Sequence, residues 1–168
     1  IEQGPVLESE GKTIGVVRGA LGQRWYDVTV TGQDAHAGPT PMELRRDALI
    51  GASRLVLEVN RIARDFPDYA RGTVGFMQVR PNSRNVIPGE VRTTVDFRNA
   101  KAATLDAMCA ELMRAARAVE AECRVAIELR EIGEQWETLP ISGTSDSGAA
   151  GTAAGVVARQ RRGRRLAL

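Results

Sequence analysis

From Gln23 to Thr31 apolar and polar side chains alternate. Tyr26, Val28 and Val30 fall on one face of an extended chain, and Trp25, Asp27 and Thr29 on the other. A period of two marks a strand buried on one side. Glu90 to Arg98 repeats the pattern, with Val91, Thr93, Val95 and Phe97 against Arg92, Thr94, Asp96 and Arg98. Arg124 to Glu131 repeats it again, with Val125, Ile127 and Leu129 inward. Two other stretches follow the helical period: Leu44, Ala48, Ala52, Leu55, Val59 and Ile62, then Leu105, Met108, Leu112, Ala116 and Val119. The spacing predicts amphipathic helices over Pro41–Arg64 and Ala102–Glu122.

Local signals sharpen the boundaries. Thr40-Pro41-Met42-Glu43 combines an N-cap threonine, a first-turn proline and a glutamate three residues after the cap, so the first helix is expected to start at Pro41. Asp65-Phe66-Pro67 ends it. Thr73 to Arg80 reads as a strand that Gly75 weakens, with ambiguous facing, and Pro81-Asn82-Ser83 and Pro88-Gly89 bracket a short extended piece. Thr13 to Val17 reads as a short strand or an extended connector. The order from Gln23 to Glu131 is thus β-α-β-β-α-β. The expected fold is α+β and ferredoxin-like, an antiparallel sheet with both helices on one face and an open, polar opposite face. From Ser142 a Gly/Ala/Ser/Thr-rich stretch without periodicity is expected to be disordered.

Composition narrows the class. With 168 residues, 43% hydrophobic and 26% charged, the chain suits a globular domain, and no apolar run approaches the roughly 20 residues of a membrane-spanning helix. The net charge of +2 is local, because Arg159, Arg161, Arg162, Arg164 and Arg165 crowd the last ten residues; without them 18 basic residues face 21 acidic ones. The body is mildly acidic and gives no global attraction to phosphate. Two cysteines, Cys109 and Cys123, fit a reducing, cytoplasmic setting and read as small core residues. With His36 the only histidine, a Cys/His metal site cannot be assembled. Neither G-x-G-x-x-G nor G-x-x-x-x-G-K-[ST] occurs. The chain opens Ile-Glu-Gln-Gly-Pro without an initiator Met or signal peptide, which reads as a fragment of a longer protein.

Three positions invite chemistry. His36 lies in a loop of alanine and glycine between a strand and the expected helix N-terminus. Such a site favours neutral imidazole as a hydrogen-bond donor to a carbonyl or developing oxyanion. The alternative is an exposed loop histidine without a partner. Arg98 ends a strand on the open face and Asn85 sits in the turn before that strand, so an arginine fork and an amide are available to clamp a carboxylate. The alternative is that Arg98 pairs with Asp96 and Asn85 satisfies turn backbone.

Four strings in order carry a resemblance: Ile1-Glu2-Gln3-Gly4-Pro5-Val6-Leu7-Glu8, Ala35-His36-Ala37-Gly38-Pro39-Thr40-Pro41-Met42, Arg80-Pro81-Asn82-Ser83-Arg84-Asn85-Val86-Ile87-Pro88-Gly89 and Val95-Asp96-Phe97-Arg98. Over about residues 1 to 140 the chain resembles the family of N-carbamoyl-L-amino-acid hydrolases, allantoate amidohydrolases and beta-ureidopropionases, within the di-metal aminoacylase and peptidase superfamily.

The resemblance implies a remnant of a catalytic domain and connector at 1–22, a lid and dimerisation domain at 23–132, a return connector at 133–141 and a non-native tail at 142–168. It implies hydrolysis of a ureido C–N bond by the intact enzyme, a homodimer through the lid, and an inactive fragment. His36 matches the lid histidine that polarises the scissile carbonyl, Asn85 and Arg98 match the holders of the substrate carboxylate, and Gln3 matches a glutamine beside the substrate. Two divalent ions (zinc, manganese, cobalt or nickel) are implied for the intact enzyme and none for this fragment. The ligand histidine expected before Ile1, the Glu pair and the C-terminal Gly-His-Asp string are missing, and Pro39 stands where the family usually has threonine.

Two competing readings remain at this level: a dimerisation module without chemistry, and an RNA-binding domain of the same topology. The second is disfavoured because Trp25 is the only aromatic expected on the open face.

Overall fold

A computed structural model describes residues 4–136 except 18, 67 and 68. Along it run a one-turn helix α1 (Val6–Ser9), β1 (Gly22–Thr31), β2 (Ala35–His36), a 3-10 turn (Met42–Leu44), α2 (Ala48–Asp65), β3 (Arg71–Thr73) and β4 (Met77–Arg80). They are followed by β5 (Val86–Ile87), β6 (Glu90–Asn99), α3 (Ala102–Cys123) and β7 (Ala126–Trp136). The main sheet is antiparallel in the order β3-β6-β1-β7, with β4 also paired to β6; β2 and β5 form a separate two-stranded sheet. This is the expected ferredoxin-like arrangement. Tyr26, Val28 and Val30 of β1 and Val91, Val95 and Phe97 of β6 are buried in one cluster with Leu55, Val59 and Ile62 of α2 and Leu105, Met108 and Leu112 of α3. Both helical stripes therefore pack on the same sheet face, as their spacing predicts.

The first helix starts later than its sequence signals suggest. Pro41 is extended (ψ 151°), and after the 3-10 turn Arg45 is extended again. The cap is Asp47, whose carboxylate accepts the amides of Leu49 and Ile50 at 2.9 and 3.2 Å. Thr40 instead donates its hydroxyl to the carbonyl of His36 at 2.7 Å. Leu44, the first member of the expected stripe, is 65% exposed. The Thr-Pro-x-Glu string mimics a cap, but a second capping residue seven positions on begins the segment that meets the sheet.

The ambiguous strand is two strands. Thr73 pairs with Asp96 and Met77 with Thr93, so four steps on one side match three on the other, a bulge of one residue at Val74 to Phe76. The extra residue reverses which parity faces inward: Gly72 and Val74 approach the core before it and Val79 after it. No single alternation could describe that stretch. The hydroxyl of Thr93 donates to the carbonyl of Phe76 at 2.6 Å, satisfying an acceptor within the bulge.

Thr13 to Val17 carries no strand, with Ile14 and Val16 exposed. β7 runs to Trp136, past the expected end at Glu131 and into the expected connector. The tail expected to be disordered, residues 142–168, lies outside the described residues, as does Gln3.

The open sheet face is a charge-compensated mosaic. Asp27 pairs with Arg130 at 2.7 Å, Asp96 with Arg98 at 2.8 Å and Glu90 with Arg92 at 3.0 Å. Phe76 joins a shallow depression there with Asp27, Thr29, Gln78 and Arg92, so Trp25 is not the sole aromatic on that side. Alternating signs suit no polyanion, which argues against RNA more strongly than the aromatic count did. On the helix side Cys109 and Cys123 are free and partly buried against the core. Burial pushes the Cys109 thiol up from its ordinary value, opposed by its bond with Tyr26, so it behaves as a core residue and not as a nucleophile.

On the outer surface Arg61 of α2 bonds Glu58 and Asp65 on its own helix and Glu111 of α3, each at 2.8 Å. Arg61 first, then Arg114, holds the Glu111 carboxyl below the ordinary carboxylate value. Two measurements follow. Asp47→Ala is expected to lower stability by about 1 kcal/mol and Thr40→Ala by less than about 0.5 kcal/mol, read from urea midpoints at constant m-value. Because the folded carboxyl of Glu111 titrates below its unfolded value, its contribution is present at neutral pH and is lost as pH falls from 4.5 through the folded value. Glu111→Gln is expected to flatten that part of the acid limb in thermal melts taken across pH.

Candidate functional site

The register of β1 on β6 decides where the candidate residues lie. Thr31 is opposite Glu90, so the loop leaving β1 and the turn entering β6 emerge at the same end of the sheet. They meet as a ledge. Ala35 pairs with Ile87 and His36 with Val86, and the amide of Ala37 donates to the carbonyl of Asn85 at 2.8 Å. Ile87, 3% exposed, plugs the ledge into the protein interior, while His36 and Asn85 are exposed on its outer part. The pairing of the two loops has no sequence period to announce it.

Backbone bonds anchor the ledge to the main sheet and to the start of α2. Gly32 donates to the carbonyl of Gly89, Gln33 to that of Arg46 and Ala48 to that of Pro88, at 2.8, 2.8 and 3.0 Å. The Asp34 carboxylate accepts the amide of Gly89 at 2.6 Å, tying one loop to the other. A Cβ on Gly32 would fall 1.9 Å from the carbonyl oxygen of Arg46, so only glycine permits this approach. Asn82, at φ 57°, turns the chain toward the ledge in the left-handed region that asparagine tolerates.

Around His36 the bonds are dense for an exposed residue. Its Nδ1 accepts the amide of Gly38 at 3.1 Å and its carbonyl accepts the Thr40 hydroxyl. The guanidinium of Arg45 reaches back from beyond the 3-10 turn, donating through Nε to the carbonyl of Thr40 at 3.0 Å and through Nη2 to that of Ala37 at 2.8 Å. The helix expected to start at Pro41 begins instead at Ala48, twelve residues beyond His36, so its dipole does not act on the imidazole. Asn85 accepts the Ser83 hydroxyl on Oδ1 at 3.0 Å. Asp34 and Arg45 were not singled out in the sequence. Arg45 sits in a Leu-Arg-Arg-Asp run that looks like the first turn of a helix, and only its actual extended backbone frees it to turn back.

Arg98 stands apart. It is eight residues from Glu90 along β6, roughly 27 Å at about 3.4 Å per residue, at the opposite end of the strand from the ledge. Its Nε and Nη2 take the Asp96 carboxylate at 2.8 to 3.2 Å. The structure thus brings His36 and Asn85 together and does not bring Arg98 to them. Among the described residues no three His, Cys, Asp or Glu side chains gather as a metal site. The described residues do not supply the donor set of the implied metal pair.

Residues 18–124 match the family model of the peptidase dimerisation domain. The chain is 41% identical over 133 residues to an N-carbamoyl-L-amino-acid amidohydrolase of Rhizobium meliloti, covering 79% of this chain and 32% of that protein. It is 41% identical over 129 residues to the allantoate amidohydrolase of Escherichia coli, covering 77% of this chain and 31% of that one. A solved amidase of the hydantoinase/carbamoylase family from Burkholderia multivorans superposes with a TM-score of 0.81 at 53% identity, over 85% of this chain and 34% of the other. The chain spans about a third of the length of these curated relatives. It belongs to the peptidase dimerisation domain family, among relatives named as N-carbamoyl-L-amino-acid and allantoate amidohydrolases.

Proposed function

We propose that this chain is the lid-bearing part of a homodimeric, cytoplasmic amidohydrolase that cleaves the C–N bond of an N-carbamoyl-L-amino acid or a related ureido acid such as allantoate or beta-ureidopropionate. The names of its relatives support the reaction class. The observation that carries the reading is the ledge: an exposed histidine and an exposed asparagine on two neighbouring segments held to each other by backbone pairing. When water attacks a ureido carbonyl, negative charge develops on its oxygen. A donor already aimed at that position stabilises the transition state without reorganising. His36 is that donor, and Asn85 and Arg98 receive the carboxylate, with Gln3 beside the substrate.

The roughly 27 Å of β6 between Glu90, at the ledge end of the strand, and Arg98 constrains this reading. A small ureido acid cannot touch both within one copy. In a two-fold dimer each site takes Arg98 from one copy and His36 with Asn85 from the other. Arg98 meets the substrate already oriented by Asp96, with donors arranged for a planar carboxylate.

The test uses the full-length enzyme. His36→Ala and Arg98→Met are each expected to lower kcat/KM about 100-fold or more without loss of fold. Refolded together at equal amounts, half the dimers are mixed, and one site in each mixed dimer has both residues intact, so about a quarter of wild-type activity returns. No recovery on mixing would show that both residues serve the same copy and would overturn the shared site. Full activity of His36→Ala would overturn its role.

A further inference from the structure

An exposed histidine on a loop ordinarily samples both neutral tautomers, and only one of them presents a donor outward from a given nitrogen. The loop of His36 has a feature that discriminates between them. The Gly38 amide is a donor only, so its bond to Nδ1 is compatible with a neutral ring protonated at Nε2 and incompatible with the other tautomer. The contact is tight: a Cβ on Gly38 would lie 3.3 Å from both Nδ1 and Cε1 of the ring. Its geometry depends on how the chain turns from Ala37 to Thr40, and one side chain holds both ends of that turn. Arg45 spans the carbonyls of Ala37 and Thr40, and it has no carboxylate partner among the described residues. A guanidinium that bonds only backbone, on a segment without regular structure, acts as a brace.

We propose that Arg45 is the positioning residue of His36. By bridging the carbonyls of Ala37 and Thr40 it sets the turn in which the Gly38 amide occupies Nδ1, so that Nε2 carries the proton and is the hydrogen-bond donor. The proposal rests on the reading that His36 meets the reacting carbonyl, and it names the atom and the support that this role requires. Thr40 assists through its hydroxyl on the His36 carbonyl, which closes the same turn from the inside. A lysine cannot replace Arg45, because a single ammonium does not reproduce the planar fork that reaches two carbonyls at once.

The 168-residue chain has one histidine, so uniform nitrogen-15 labelling of it, untagged, gives one imidazole in the spectrum beside the labelled amides, Gly38 included. At about pH 9, where an imidazole is neutral, the wild-type ring is expected to show an unprotonated Nδ1 and a protonated Nε2, with a scalar coupling between Nδ1 and the Gly38 amide nitrogen across the hydrogen bond. Arg45→Gln, with its amide spectrum still dispersed, is expected to lose the coupling and move both ring shifts to those of free histidine in the same buffer. Arg45→Lys is expected to fall with Arg45→Gln and not with wild type.

A wild-type ring protonated at Nδ1, or one with the shifts of free histidine and no coupling, overturns the proposal. So does a folded Arg45→Gln that keeps the wild-type shifts and coupling. If Arg45→Gln does not fold, the wild-type coupling and Thr40→Val decide: retention of the locked ring by Thr40→Val with the coupling intact supports Arg45 as the brace, and absence of the wild-type coupling overturns it. None of these readouts involves turnover, so they stand or fall separately from the activity of His36→Ala.

Discussion

Ten consecutive residue pairs between β1 and β6 govern the placement of everything else. The two strands contribute Tyr26, Val28 and Val30 and Val91, Val95 and Phe97 to the core, and a slip of one residue would turn the three of the shifted strand to the solvent. That register also fixes the ends. Because Thr31 faces Glu90, the loop after β1 and the turn before β6 emerge together and pair as β2 and β5. Because Gln23 faces Arg98, the arginine is carried to the other end. The separation of the candidate residues into two groups follows from hydrophobic packing far from either group.

The ledge shows how an exposed loop becomes a defined surface without burial. Its side chains of interest lie in solvent, where hydrophobic contact contributes little, so its order comes from backbone hydrogen bonds. Gly32, Gln33 and Ala37 donate to carbonyls of facing segments, Gly89 donates to Asp34, and Arg45 and Thr40 close the turn behind His36. Each bond contributes about 1 kcal/mol at most in such an exposed setting. Together they restrict a segment that would otherwise sample many conformations, and a functional loop needs that restriction more than it needs stability.

Two of the departures from the expected elements have the same origin. The stretch from Thr40 to Asp47 contains two capping residues, and the local chemistry of Thr40-Pro41 matches the motif more fully than that of Asp47. The helix nevertheless begins at Asp47, because Ala48 is the first residue of this stretch to enter the core: it is fully buried, whereas Leu44 is exposed. The bulge between β3 and β4 is a matter of pairing: an extra residue in one strand is defined only against its partner, β6. In each case tertiary contact selected among states that local propensity left close in energy.

The sequence by itself determined the elements with a sustained period. Three alternating segments and two helical stripes, with Ala52, Leu55, Val59 and Ile62 and with Leu105, Met108 and Leu112 inward, were legible because burial on one face imposes a period that side-chain chemistry must follow. The order of those elements specified the ferredoxin-like topology. His36, Asn85 and Arg98 were legible as chemical types and through quoted motifs, but their mutual positions were not. That His36 and Asn85 share a ledge, that Arg98 lies at the other end of β6, and that Asp34 and Arg45 hold the loop were decided only in the tertiary structure. These contacts join residues through backbone carbonyls and amides, which every residue carries alike, so no pattern of side chains along the chain could record them.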